Sequence, residues 1–325
     1  MPIAFVTGGT GFVGSHLVEL LLARGYEVRC LVRTDEKWLA GLPVTLVKGS
    51  LEEPSSLAEA LVGVDEIHHV GGLTRSRSWD DFVAANVTAT VRLLDYVAGM
   101  DRKPRRVLVT STLAAVGRSD TPVADESAPL RPISMYGKSK AVMEQAIAPY
   151  FERLPMTVIR PPAVYGPRET DILTFFQSVA KGLCPVVGRG DVPALSLVHV
   201  RDLVAGMADA AVHAAAEGRT YFLGGGKQYT WHEIRDTAAK AVGRRVLTLP
   251  IPPALVIPLG TVTEVLAGLF GQYPPLNREK AQEIRYTCTM CSSDAAARDF
   301  GYVAPTGLEA GIAETIRWYR ENDWI

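Results

Sequence analysis

Short apolar runs alternate with longer amphipathic runs along the first half of the chain. Runs rich in β-branched residues and bounded by Gly, Pro or polar residues predict strands over 3–7, 27–32, 44–47, 66–70, 106–111 and 156–160. Between them, apolar residues recur near every 3.6 positions and predict helices over 13–24, 55–61, 79–98 and 136–151. This alternation is typical of a parallel sheet covered by helices on both faces, which is an α/β fold.

The alternation loosens after about residue 165. Helical runs over 170–181, 231–242, 278–285 and 308–321 are separated there by Pro- and Gly-rich connections. We therefore predict a doubly wound sheet over residues 1–165 and a smaller, mixed C-terminal lobe over 166–325 that binds the substrate. Two short runs in the region 195–225, at 196–200 and 221–223, are candidates for strands that return to the main sheet.

Composition excludes several classes of protein. The 325 residues include 34 Lys and Arg against 35 Asp and Glu, so the basic excess of a nucleic-acid-binding protein is absent. The apolar share of 47% is enough for a large core. Cysteine is too scarce for a disulfide scaffold, and no basic segment precedes the first apolar run, so we expect a cytoplasmic protein. No metal site is expected, because Cys288 and Cys291 lack a second ligand pair.

One stretch does not fit this soluble pattern. Residues 246–263 carry no charge over eighteen positions, which reaches the length of a membrane span. Prolines at 250, 252, 253 and 258 interrupt it, and proline disrupts a continuous helix. We predict that it does not cross a membrane. It forms either the wall of an apolar pocket or a surface that rests on a membrane peripherally.

A glycine-rich loop joins the first predicted strand to the first helix. Gly8, Gly11 and Gly14 form a G-x-x-G-x-x-G pattern, with Thr10, Phe12 and Val13 between them. Small residues there permit a tight turn and close approach of the backbone to a pyrophosphate, which the N-terminus of the helix then stabilises. The loop predicts a Rossmann-type dinucleotide-binding domain.

The end of the second strand indicates which dinucleotide binds. Arg33 and Lys37 follow this strand, at the position where NAD-selective sites place an acidic residue for the ribose hydroxyls. A cation pairs well with a 2′-phosphate and offers no acceptor to a hydroxyl. We therefore favour NADP(H). NAD stays an alternative, in which Asp35 binds the ribose.

Tyr136 and Lys140 form a Y-x-x-x-K pattern at the start of a predicted helix. Their i, i+4 spacing places the phenol and the ammonium on one helical face. An ammonium and an oxidised nicotinamide both favour the phenolate, so Tyr136 is a candidate acid–base group. Ser111 and Thr112 stand at the end of the fifth strand, where ligands of parallel sheets bind, and either hydroxyl could hold a carbonyl or alcohol of the substrate.

Together these features resemble an extended short-chain dehydrogenase/reductase of the NAD(P)-dependent epimerase/dehydratase type. The resemblance spans nearly the whole chain and rests on TGGTGFVG at 7–14, Asn86-Val87, Ser111-Thr112, Tyr136 with Lys140, RPPAVYGP at 160–167 and HVRD at 199–202. It implies that Tyr136 is the acid–base residue, that Lys140 holds the nicotinamide ribose, and that Thr112, with Ser111 as second choice, is the hydroxyl residue. It also implies that Pro161 lies beside the nicotinamide, that Asn86 mainly supports the core, and that a homodimer forms through the helices 79–98 and 136–151.

The chain departs from the family pattern in two places. Gly49-Ser50-Leu51 stands where the family often has Gly-Asp-Leu, so Ser50 and Leu51 would face the adenine without a carboxylate. The arginine that sugar-nucleotide epimerases usually carry before the His-Val-x-Asp element is missing, and the segment 193–199 reads PALSLVH.

Three classes of function compete. The first is NADPH-dependent reduction of a ketone or aldehyde, or oxidation of the alcohol, on a small and fairly apolar substrate. It resembles the dihydroflavonol-reductase and 3β-hydroxysteroid-dehydrogenase branch of the family. Arg33 and Leu195 support it, and the uncharged stretch followed by the segment 271–276 looks like that branch. The second is NAD-dependent epimerisation or dehydration of a sugar nucleotide, whose diphosphate would need Arg168, Arg189 or Arg278. The third, a non-catalytic cofactor sensor, is disfavoured because Tyr136 and Lys140 are both present.

Overall fold

The computed structural model describes residues 1–269 and 277–325. Its strands are β1 Ile3–Thr7, β2 Glu27–Val32, β3 Thr45–Lys48, β4 Glu66–His69, β5 Arg106–Thr110, β6 Met156–Arg160, β7 Ala163–Tyr165, β8 Leu183–Val187, β9 Pro193–His199, β10 Arg219–Phe222, β11 Gln228–Thr230 and β12 Leu247–Ile251. Its helices are α1 Phe12–Ala23, α2 Ala58–Leu61, α3 Trp79–Phe82, α4 Ala89–Ala98, α5 Met135–Ile147, α6 Leu173–Ala180, α7 Val200–Val212, α8 Trp231–Val242, α9 Pro253–Leu269, α10 Arg278–Tyr286, α11 Asp294–Phe300 and α12 Leu308–Glu321.

A parallel sheet forms the centre of the molecule. In the described residues it has seven strands in the order β10-β6-β5-β4-β1-β2-β3. The chain order reverses between β1 and β4, and in open parallel sheets ligands bind at the carboxyl ends of the strands near such a reversal. The predicted Rossmann-type, doubly wound α/β fold is confirmed, and each of the six predicted strands is present to within one residue at either end.

Helices cover both faces of this sheet because its strands are apolar on both sides. Ala4 and Val6 of β1 lie in a core cluster with residues of α1 and α7, whereas Phe5 lies in a second cluster with residues of α4 and α5. The alternation follows from the two-residue period of a strand. The helical members of the clusters include Leu17, Leu21, Leu203 and Met207 on the first face and Leu93, Leu94, Met143 and Ile147 on the second.

Two predicted helices contain irregular turns. The run 79–98 is helical throughout, but residues 83–88 form a π-helical turn between α3 and α4. The run 136–151 is α5 followed by a 3₁₀ turn over 148–152. Such π-turns are frequent at functional sites, and this one carries Asn86.

Smaller sheets lie outside the main one. β9 pairs with β7 and β11, and β12 pairs with β8. The expectation that the run 196–200 returns to the main sheet is therefore wrong, since β9 pairs within the three-stranded sheet. The run 221–223 does return, because β10 adds to the edge of the main sheet parallel to β6.

α7 was not predicted, although its signal is present in the sequence. Val200, Leu203, Val204, Met207 and Ala211 follow the i, i+3, i+4, i+7 spacing of a helix face and are all buried. The preceding apolar run of β9 merges with this pattern, which hides where the strand ends and the helix begins.

The uncharged stretch 246–263 forms β12 and most of α9. Many of its large side chains are exposed, including Leu247, Leu249, Leu255, Leu259 and Val262, so the structure contradicts the expectation of an enclosed pocket wall. Among the described residues, no helix is long and apolar enough to cross a membrane. The segment 271–276, which supported the resemblance to the reductase branch, lies outside the described residues.

Candidate active site

The glycine loop lies at the carboxyl end of β1 and leads into α1. The amide of Gly11 donates to the Gly8 carbonyl at 3.0 Å, which closes the turn. A Cβ on Gly14 would lie 2.1 Å from the Gly8 carbonyl oxygen, so no side chain fits where the helix meets the turn. The other loop residues, Thr10, Phe12 and Val13, are each half-buried.

The N-terminus of α1 is suited to bind an anion. Within the part of the chain that the structure describes, no side-chain hydrogen bond caps this helix at Gly11. Its first turn carries no acidic residue either. Free N–H groups and the positive end of the helix dipole are therefore available to the pyrophosphate of a dinucleotide.

The loop after β2 carries the residues predicted to select the dinucleotide. Arg33 and Lys37 are both exposed at the carboxyl edge of the sheet. Asp35, the alternative ribose ligand, accepts a hydrogen bond from the backbone N–H of Lys37 at 3.0 Å. This bond directs the Asp35 carboxylate towards the backbone of its own loop. On the neighbouring strand end, the Ser50 hydroxyl accepts the amide of Glu52 at 3.1 Å, and Leu51 packs against the core.

Tyr136 and Thr112 lie together at the carboxyl end of β5. The Thr112 hydroxyl is close enough to the phenol to lower the pKa of Tyr136, and it also accepts the Ala114 amide at 3.2 Å. Gly137 permits this approach, because a Cβ there would lie 2.3 Å from the Ala114 carbonyl oxygen. Ser134 fixes the start of α5 by accepting the Gly137 amide at 3.1 Å.

The phenol of Tyr136 is protonated in the protein alone. Burial raises the pKa of Tyr136 to about 12, and the hydrogen bond to Thr112 only partly opposes this effect. Asp171 and Glu283 add to the increase by their negative charge. Desolvation of the phenolate is the largest cause, whereas the lower pKa expected from the sequence also requires the positive charge of an oxidised nicotinamide.

Lys140 is buried one helical turn beyond Tyr136. Its ammonium donates to the Thr110 carbonyl at 2.8 Å, and it lies next to Gly72, where a Cβ would be 3.2 Å from Nζ. Burial lowers the pKa of Lys140 to about 8, while the charge of Glu144 partly opposes the decrease. Lys140 therefore lies at the carboxyl edge of β5 with donors that a ribose could accept.

The structure separates the two candidate hydroxyl residues. Ser111 is buried and donates to Oε1 of Glu144 at 2.5 Å, so its hydroxyl is engaged away from the phenol. Thr112 is the hydroxyl beside Tyr136. Pro161 is also buried. Its carbonyl accepts the amide of Leu113, the residue that follows Thr112, at 2.9 Å.

Glu144 and Arg160 form a buried ion pair that the sequence analysis missed. Arg160 of β6 donates from Nε and Nη2 to the carboxylate, and both side chains are less than a tenth exposed. Glu144 is four residues after Lys140, so the helical spacing alone could have placed it on the same face. Only the fold brings Arg160 and Ser111 to it.

Asn86 and His69 support the floor of the site. Asn86 binds both backbone groups of Leu73, at 2.7 Å to the amide and 2.9 Å to the carbonyl, and donates to Ser139 of α5 at 2.9 Å. His69 lies between the hydroxyls of Thr7 and Thr90, at 2.7 and 2.9 Å. These bonds join the end of β1, the π-turn, α4 and α5, and both side chains belong to the buried core of this region.

Fold and site together define an enzyme that uses a nicotinamide dinucleotide. The profile of the NAD dependent epimerase/dehydratase family matches residues 4–224, and the chain belongs to this family, in its extended short-chain dehydrogenase/reductase branch. The match covers the glycine loop and both members of the Y-x-x-x-K pattern. The resemblance stated from the sequence is confirmed.

Named relatives are similar over almost their full length. The ceramide reductase of Caulobacter vibrioides is 28% identical, with 99% of this chain and 96% of the relative covered. The 3-beta-hydroxysteroid dehydrogenase of Mycolicibacterium neoaurum is 29% identical, with 97% and 91% covered. The crystal structure of gox2253 superposes with a TM-score of 0.83 at 28% identity and covers the whole of both chains.

Proposed function

We propose that this protein is an NADP(H)-dependent oxidoreductase that reduces a ketone or aldehyde of a small, fairly apolar substrate, or oxidises the corresponding alcohol, with Tyr136 as the acid–base residue. The observation that carries the proposal is the placement of a protonated Tyr136 beside the Thr112 hydroxyl at the end of β5. A carbonyl oxygen that accepts a hydrogen bond from each hydroxyl would be polarised for attack by hydride.

The protonation state of Tyr136 suits the reductive direction. When bound, the reduced cofactor supplies hydride to the carbonyl carbon, and the oxygen then needs one proton. Tyr136 holds that proton because burial raises its pKa to about 12. In the oxidative direction the positive charge of the oxidised nicotinamide would favour the phenolate, which then takes the proton from the alcohol.

Lys140 is proposed to hold the nicotinamide ribose. Its ammonium is buried and has Thr110 as a backbone partner, so it is fixed rather than free to rotate in solvent. The charge of Glu144, one turn further along α5, favours the protonated form. Pro161, held against the turn after Thr112, would lie beside the nicotinamide, as in the family.

NADP(H) is favoured over NAD by the loop after β2. Arg33 and Lys37 expose two cations there, while Asp35 is engaged by the amide of Lys37. An arginine can pair with a 2′-phosphate through two donors, which makes its contribution specific to NADP(H). The adenine would lie near Ser50 and Leu51, and the pyrophosphate on the turn formed by Gly8, Thr10, Gly11, Phe12, Val13 and Gly14.

The surroundings of the arginines that could bind a diphosphate favour an apolar substrate. Arg168 is bound to Ser15 and Glu19 of α1 and lies over the Trp38 ring, and Arg189 pairs with Asp191. Arg168, one of the three candidate ligands of a sugar-nucleotide diphosphate, is thus already held by α1, while Arg189 remains exposed. The relatives described above are named for ceramide and a hydroxysteroid, both of which are apolar.

The test is a panel of ketones and aldehydes monitored by NADPH oxidation, with UDP-sugars as the control class. We expect turnover of an apolar carbonyl compound, and Tyr136→Phe should abolish it while leaving NADPH affinity within about twofold, because only one hydroxyl is removed. Thr112→Ala should lower kcat by about a hundredfold, as for loss of one donor to a developing oxyanion. Tightly bound NAD, no carbonyl reduction and conversion of a UDP-sugar would instead assign the epimerase class.

A homodimer through the helices 79–98 and 136–151 is also proposed. Val87 of the π-turn and Val91 of α4 lie in the first of these helices and are only partly buried. Sedimentation equilibrium of the wild type and of Val87→Glu/Val91→Glu measures the state directly. A dimer that the double variant converts to monomer supports the interface, and a wild-type monomer contradicts it.

A further inference from the structure

α9 presents an apolar stripe to solvent. Leu255, Leu259, Val262 and Leu266 recur at i, i+4, i+7 and i+11, so they lie along one helix face, and each is between 41% and 54% exposed. The inward side is held by Val256 and Gly260, both buried, and Gly260 lies against Asn277 and Ala281 at the start of α10. A helix whose exposed stripe is apolar is the reverse of the usual arrangement in soluble proteins.

The strand that precedes α9 adds a second apolar patch. β12 pairs with β8 in parallel register, with Leu247 opposite Leu183 and Leu249 opposite Pro185. All four side chains are exposed on this two-stranded sheet. We call these four residues, together with the stripe of α9, the apolar surface. β12 leads directly into α9, and large exposed apolar patches mark interaction sites.

A basic cleft adjoins the apolar surface. It has a volume of about 650 Å³ and lies between α8 and the start of β12. Its charged lining consists of Arg235, Asp236, Lys240, Arg244 and Arg245, of which Arg235 pairs with Asp236 and Lys240 pairs with Glu309. Arg244 and Arg245 are exposed, and neither forms an ion pair with a carboxylate in the described ranges 1–269 and 277–325.

We propose that the apolar surface docks on a lipid bilayer with anionic headgroups, with the basic cleft against their phosphates. Leucine and valine side chains would leave water for the boundary of the acyl chains, as in interfacial amphipathic helices. Cations near the bilayer surface are attracted by its negative potential.

Docking would place the candidate active site beside the bilayer. α10 packs on α9, and Glu279 of α10 accepts the amide of Met135 at the N-terminus of the catalytic helix α5. One helix therefore separates the apolar surface from the start of the helix that carries Tyr136. The docking surface does not depend on the reductase proposal, since its test needs no turnover.

The experiment is flotation of the full chain with two kinds of vesicle, phosphatidylcholine alone and phosphatidylcholine mixed with phosphatidylglycerol. We expect the wild type to float with the mixed vesicles and to bind them more weakly at high salt. Leu259→Ser/Val262→Ser should weaken binding by about tenfold or more, because two exposed apolar side chains no longer enter the lipid. Arg244→Gln/Arg245→Gln should reduce binding to the mixed vesicles and flatten the salt dependence.

Matched controls replace exposed residues outside the apolar surface. Val62→Ser and Val303→Ser remove apolar side chains that are 67% and 72% exposed, and Lys103→Gln removes an exposed cation. These variants should bind like the wild type. Circular dichroism of every variant checks that it is folded.

The proposal is overturned if the wild type does not float with either vesicle, or if folded Leu259→Ser/Val262→Ser binds like the controls. It is also overturned if the wild type is a dimer that does not bind vesicles and Leu259→Ser/Val262→Ser converts this dimer to a monomer in sedimentation. That result would assign the apolar surface to a second copy of the chain.

Discussion

Glu144 and Arg160 form a side-on ion pair inside the protein, at 3.0 Å from Nε to Oε1 and 2.6 Å from Nη2 to Oε2. The same carboxylate accepts the Ser111 hydroxyl and stands one turn beyond Lys140. It therefore links β5, β6 and α5 directly beneath the candidate site. A residue of this kind positions its neighbours and influences the charge of Lys140 without touching the substrate.

Glu144→Gln should destabilise the protein by about 3–5 kcal/mol, since it removes the carboxylate that pairs directly with the buried Arg160 guanidinium. Urea unfolding measures this cost. Replacing both partners, as Glu144→Leu/Arg160→Met, should cost less than Glu144→Gln, because the Arg160 charge is removed together with its partner. If the double variant is as unstable as Glu144→Gln, the pair is not held together by charge as described.

The same substitution should change how activity depends on pH. The charge of Glu144 opposes the lowering of the Lys140 pKa, so its removal lowers that pKa further, below about 8. Lys140 would then lose its proton at lower pH, and the alkaline limb of the kcat/KM profile should move to lower pH. A variant with reduced activity but an unmoved alkaline limb would indicate a structural role only.

Gly137→Ala tests the contact between α5 and the turn after β5. Its methyl group would meet the Ala114 carbonyl oxygen, so α5 must shift and carry Tyr136 away from Thr112. Displacement of this order should lower kcat by about a hundredfold while the chain stays folded. Gly307→Ala is the matched control, because it has an ordinary φ of −64° and no atom within 4 Å of the added Cβ. Equal activity of the two variants would argue against the tight contact.

Arg33→Ala tests the choice of dinucleotide. Loss of a charge-assisted pair with the 2′-phosphate should raise the KM for NADPH by about 10- to 100-fold and leave the KM for NADH almost unchanged. Arg102→Ala, which removes an exposed arginine paired with Asp65, serves as the control. An equal effect on both cofactors would place Arg33 away from the 2′-position.

His69 should make the protein less stable in acid. Burial and the charge of Lys140 lower the pKa of His69 to about 3, so it stays neutral in the folded state. The unfolded chain takes up a proton below about pH 6.5 and the folded chain does not, so stability decreases as the pH falls from that value towards 3. At pH 5 this amounts to about 2 kcal/mol.

Urea unfolding at pH 7 and pH 5 checks this contribution. His69→Asn should be less stable than the wild type at pH 7, since it cannot bridge Thr7 and Thr90, but it should lose less on going to pH 5. The exposed His213, replaced in the same way, provides the comparison. An unchanged difference between the two pH values in His69→Asn would refute the assignment.

Much of the cofactor-binding half can be predicted from local patterns. Each of these patterns spans only a few residues, so it can be recognised in the sequence. They are the strand and helix periodicities, the glycine spacing and the i, i+4 relation of Tyr136 to Lys140. The helical spacing of α7 is equally local, but the apolar run of β9 continues into it and hides the boundary between strand and helix. Ser111 and Thr112 could not be separated in this way, since both hydroxyls end the same strand.

What the sequence by itself determined is the class of fold, the family and the segments that line the candidate site. Only the tertiary structure decided which hydroxyl meets Tyr136, because that depends on how closely α5 approaches the turn at Ala114. It also brought Arg160 to Glu144 across sixteen residues and turned the uncharged stretch outward to solvent. These are relations between distant segments, fixed by packing and burial rather than by local spacing.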